Sequence, residues 1–167
     1  MKMAKKLLAV VLAGVLAVSL LTGCGGAVST KAIAEAMSDV SKDEGFVYEA
    51  DPELDEKAGL IAGMIKTKVE GNDPGNDPDI CGKIMGIMGE DYADKYVWIA
   101  ATTTKGNDVM TQASNLLEDL EDVDIDSNIN GAVPKGKSPA KVRSIGTAPI
   151  TLNGEDCCLA VITADAV

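Results

Sequence analysis

The most constraining stretch of this sequence lies at residues 150–163. Ile150-Thr151-Leu152 is followed by Asn153-Gly154 and then by Asp156 to Thr163. Asn-Gly supplies two consecutive residues that tolerate positive φ, as a two-residue hairpin turn requires. From Cys157 to Ile162 every residue is apolar (Cys-Cys-Leu-Ala-Val-Ile). Both faces of that strand therefore need cover, and it belongs in the middle of a sheet. Further strands and helices are read from the preceding residues.

A helix is predicted over Lys31 to Ser41, where Ile33, Ala36, Met37 and Val40 share a face and Ser29 or Thr30 can cap the first turn. Residues 42–50 break the period, and Phe46-Val47-Tyr48 suits a short strand. Asp51 stands as N-cap, Pro52 as first helical residue and Gly71 as stop of a second helix, with Leu54, Ala58, Ile61, Ile65 and Val69 as its buried stripe. Gly59 and Gly63, four apart, are expected to admit another element closely. Gly71 to Asp79 repeats Gly-Asn-Asp-Pro and reads as a loop, with Asp79 placed to cap a third helix, Ile80 to Gly89. Tyr96 to Thr104 reads as a strand, Lys105-Gly106 as a turn, and Asn107 or Asp108 as the cap of a helix running to about Leu120. Residues 121–138 are expected to form an exposed loop, and Ser138-Pro139 to start a short helix to Ile145. The fold class that results is α+β: an N-terminal helical region followed by a small antiparallel sheet, arranged strand–helix–loop–β-hairpin.

Composition removes whole chemistries. There is no histidine, which excludes Ser-His-Asp and Cys-His catalysis, HExxH zinc sites and ordinary His-ligated metals. With one Trp and one Phe the core must be largely aliphatic, and stacking platforms for sugars are scarce. A net charge of −11 argues against nucleic acid as a partner, since that needs a basic face. No catalytic residues are assigned.

The N-terminus carries Lys2, Lys5 and Lys6, then an uncharged run from Leu7 to Leu21, then Leu21-Thr22-Gly23-Cys24. A positive start and an apolar run too short for a typical membrane span fit a secretory signal. The last four residues resemble the lipobox of bacterial lipoproteins. That resemblance implies cleavage between Gly23 and Cys24, lipid on Cys24, and a membrane-anchored, extracytoplasmic location (the outer membrane, if the cell has one). The expected division is a signal peptide at 1–23, a lipidated cysteine and flexible tether at 24–30, and one domain at 31–167. Removing residues 1–23 deletes three lysines and no acid, so the charge falls from −11 to −14, and the domain adds no attraction of its own to anionic headgroups. With Cys24 lipidated, Cys81, Cys157 and Cys158 remain. They are either small buried hydrophobes, or Cys81 pairs with Cys157 or Cys158, or the three form a redox or metal trio, which no CxxC spacing supports.

Three motifs overlap between residues 126 and 141. Gly131 to Ser138 satisfies GxxxxGK[ST], but an acidic stretch precedes it and Pro139 follows at once, where a P-loop needs a buried strand before and a helix after. Nucleotides are therefore not expected as ligands. Asp126-Ser127-Asn128-Ile129-Asn130-Gly131 matches the first half of a calcium loop, with Lys137 where a bidentate Glu should stand. An open calcium site on Asp124, Asp126, Asn128 and Asn130 is the one metal expectation. Ser138-Pro139-Ala140-Lys141 matches SxxK without the partner motifs of penicillin-recognising enzymes. The run Glu118 to Asp122 reads as a solvated helix end. The expectation is a non-enzymatic binding or structural module tethered to a membrane, with a protein, envelope component or small molecule as partner. A calcium-responsive module built on residues 124–131 is the alternative.

Overall fold

The apolar strand does run up the middle of the molecule. The computed structural model describes residues 28–69, 79–121, 128–133 and 135–167. In chain order these form helix α1 (Thr30–Val40), strand β1 (Val47–Ala50), helix α2 (Pro52–Val69), helix α3 (Ile80–Met88), strand β2 (Tyr96–Thr103), helix α4 (Val109–Glu121), strand β3 (Pro139–Leu152) and strand β4 (Glu155–Ala166). The fold is α+β. One sheet holds the strands in the order β1-β3-β4-β2, so β4 is interior. Asn153 (φ 52°) and Gly154 (φ 83°) turn β3 into β4, both in the left-handed region.

The sheet is mixed rather than wholly antiparallel. β4 pairs antiparallel with β3 and β2, while β1 pairs parallel with β3. Three helices and β2 separate β1 from β3, and a connection that long permits the parallel arrangement.

Helices cover both faces. Ile33 and Met37 of α1 and Ala113 and Leu116 of α4 pack with Trp98, Ile145 and Ile162 on one side. Leu54 and Ile61 of α2 and Ile84 and Met88 of α3 pack with Val97, Leu159 and Val161 on the other. Successive β4 residues thus feed alternate cores, which is why that strand has no polar residue from Cys157 to Ile162.

The helix ends follow their local chemistry. Ser29 Oγ accepts from the Ala32 amide (3.2 Å), Asp51 from Glu53 (2.9 Å) and Asp108 from Thr111 (2.8 Å). Asp79 sits at the N-cap of α3, but its side chain accepts no cap hydrogen bond. Lys57 closes the other end of α3 by donating to Met88 O (2.7 Å).

Four further expectations are corrected. Residues Pro139 to Ile145 begin strand β3 instead of a helix. Pro139 is tolerated at a strand's first position, and Ser138 and Val167 exchange amide–carbonyl hydrogen bonds of 2.9 Å beside it. Gly59 and Gly63 do not receive a close neighbour: a Cβ at either would meet nothing within 4 Å. The close approach is at Gly146 of β3, where a Cβ would run into the Leu54–Asp55 backbone of α2. The stretch 121–138 is not exposed throughout, for Asn130 is buried. The tether also ends sooner than residue 30. Val28 packs against the α1–α4 core and Thr30 is buried.

A polar clasp fixes that entry point. Thr30 Oγ1 donates to Asp55 Oδ1 (2.7 Å) and lies 2.7 Å from Thr147 Oγ1, while the Thr147 amide donates to the same Asp55 oxygen (2.7 Å). Burial pushes the Asp55 carboxyl above the usual carboxylate range, against the smaller opposing pull of the Thr147 amide and Thr30 hydroxyl. Residues 1–27, including Gly23 and Cys24, lie outside the described residues, as do Gly71 to Pro78. Among the described residues no helix is long and apolar enough to cross a membrane.

Candidate functional site

Arg143 is the only arginine in the chain, and four of its five aromatic residues gather near it. The sheet register makes the cluster. Arg143 lies beside Tyr48 on one side and Ala164 on the other, and Ala164 lies beside Tyr96. Ala164 is small, so the guanidinium can reach across β4 toward β2. Its carbon lies 4.0 Å from the centroid of the Phe46 ring, 5.2 Å from that of Trp98 and 5.7 Å from that of Tyr48, all within cation–π range. Trp98 stacks in turn on Tyr96, centroids 5.5 Å apart and planes 12° from parallel.

Helix α1 holds β1 in place for this. Ser38 Oγ accepts from the Tyr48 amide (2.8 Å) and donates to Ala34 O (2.8 Å), which satisfies a backbone donor of an edge strand. The Tyr48 hydroxyl accepts from Arg143 Nη1 (3.0 Å). Lys141 donates to Glu44 O (2.8 Å), its ammonium 4.1 Å from the Phe46 ring centroid.

A cleft of about 470 Å³ opens here between the C-terminal part of α1, β1 and α4. Val40, Leu117 and Leu120 give it an apolar wall, Glu44 and Glu118 are exposed at its rim, and Arg143 lines it too. The Arg143 Nε is buried without a hydrogen-bond partner. Among the described residues no carboxylate lies within ion-pairing distance of the guanidinium. A cation in a chain of net charge −11 is thus held in a semi-enclosed, ring-lined position with donors left over.

The residues singled out from sequence are placed elsewhere. Asp124 and Asp126 lie outside the described residues. Asn128 Oδ1 accepts from the amides of Val97 (2.9 Å) and Asn130 (3.1 Å). Asn130 Oδ1 accepts from Ala132 (3.1 Å), and its Nδ2 donates to the carbonyls of Tyr92, Ala93 and Lys95 (3.1, 3.0 and 2.8 Å). Both asparagines work as backbone ties, and a calcium ion using their oxygens would have to displace those hydrogen bonds. The described residues hold no group of three or more Cys, Asp or Glu arranged for a metal.

Cys81 is free and exposed and Cys157 is free and buried, so Cys81 pairs with neither Cys157 nor Cys158. Cys157 and Cys158 do face opposite cores. Burial raises the Cys157 thiol above its ordinary range, which keeps it from acting as a thiolate. Ser138 and Lys141 of the P-loop and SxxK matches flank the start of a strand, where both motifs require a helix. Glu118 and Asp119 are exposed on α4.

Arg143 was missed because residues 139–145 read as helical, which hides the alternation that puts Lys141 and Arg143 on one face. The available signal was a lone arginine in a chain with few rings. No family model matches the sequence, and no curated protein matches it.

Proposed function

We propose that this chain is an exported lipoprotein, anchored through lipid on Cys24, whose domain is a non-enzymatic module that holds a small ligand in the Arg143 cleft. The anchor rests on the lipobox-like Leu21-Thr22-Gly23-Cys24. The binding role rests on one observation: a guanidinium that pairs with no carboxylate among the described residues lines a cleft of about 470 Å³, within the size range of small-molecule sites. The absence of histidine and the raised Cys157 thiol support binding over catalysis.

Two measurements test the two halves. Metabolic acyl labelling of the wild type should tag the protein, and Cys24→Ala should lose the tag and leave the membrane fraction while still folding. An untagged wild type removes the anchor. For the binding half, the small-molecule fraction of a cell extract should raise the melting temperature of the wild type more than that of Ser114→Phe, which crowds the cleft from its exposed side. Equal responses remove the binding role.

A further inference from the structure

We infer that the cleft takes a small organic acid with a single carboxylate and an apolar body; this rests on the cleft being a ligand site. A guanidinium presents a planar fork of donors that matches a carboxylate. Here Phe46, Tyr48 and Trp98 surround it and Tyr48 fixes one nitrogen, so little freedom remains to be lost on pairing. The rings also lower the local polarity, which strengthens an ion pair formed against them. Val40, Leu117 and Leu120 would take the apolar body. Glu44 and Glu118 at the rim oppose a second negative charge on the ligand. That selects a monocarboxylate over phosphate or a diacid.

Trp98 is the sole tryptophan and sits 5.2 Å from the Arg143 guanidinium, so its fluorescence reports on the site. The test uses the full-length chain in mild detergent with cyclohexanecarboxylate, its neutral amide, and inorganic phosphate as probes. The carboxylate should shift the Trp98 emission saturably. The amide should bind at least about tenfold more weakly, as expected for loss of a charge-assisted hydrogen bond, and phosphate should not displace the acid. Arg143→Gln should weaken the acid by a similar factor. Because that residue stacks on three rings, Ser114→Phe provides a second variant that keeps Arg143 and should also lose the response. If the amide binds as tightly as the acid and Ser114→Phe abolishes both, the carboxylate inference is overturned and the cleft stands. Displacement of the acid by equimolar phosphate overturns it as well. If neither compound perturbs Trp98, the cleft itself is not a ligand site.

Discussion

Asn130 is buried and donates to three carbonyls between Tyr92 and Lys95, while its Oδ1 takes the amide of Ala132. Side chains shorter by one amide cannot satisfy those groups. Asn130→Ala should cost at least about 2 kcal/mol, because it strands buried backbone acceptors; urea denaturation would show it as a lower midpoint. A second residue-scale outcome concerns the thiols. In the native chain Cys81 should react with iodoacetamide, while Cys157, 6% exposed, should label only after denaturation. Peptide mass spectrometry checks this, and rapid native labelling of Cys157 would contradict its burial and raised thiol.

At the scale of elements, two kinds of glycine part company. Gly146 lies under the α2 backbone, whereas Gly59 faces open space beside a groove of about 330 Å³ that Ile150 and Cys157 also line. Gly146→Ala should destabilise by about 3 kcal/mol or more, since backbone rather than a flexible side chain must yield. Gly59→Ala should stabilise by about 0.5–1 kcal/mol through lost unfolded-state freedom. Thermal melts of the two variants should move in opposite directions. The contrast explains what could be seen without coordinates. Local signals carried far: Ser29, Asp51-Pro52 and Asp108 start their helices, Asn153-Gly154 makes its turn, and the Cys157–Ile162 run is central. Non-local features stayed hidden. Which glycine is crowded depends on which helix crosses which strand, and Pro139–Ile145 becomes a strand because β4 and β1 pair with it. The Arg143 cluster draws on β1, β2 and β3, and depends on that same pairing.

For the whole molecule, Asp55 ties pH to stability. Its carboxyl titrates higher folded than unfolded because burial penalises the charge. Its contribution to stability is therefore fully present below the unfolded pKa and is lost as pH rises through the folded value. Asp55→Asn keeps an oxygen for Thr30 and Thr147 without the charge. It should melt higher than wild type at neutral pH, with the gap closing toward about pH 4. Melting curves across that range decide it, and a variant less stable than wild type at pH 7 would mean that the charge itself holds the clasp.

The same clasp has a mechanical consequence. Tension along residues preceding Val28 enters the domain at Thr30, whose hydroxyl is joined to Asp55 on α2 and Thr147 on β3. Load is thus shared between a helix and the longest strand of the sheet instead of unzipping α1 turn by turn.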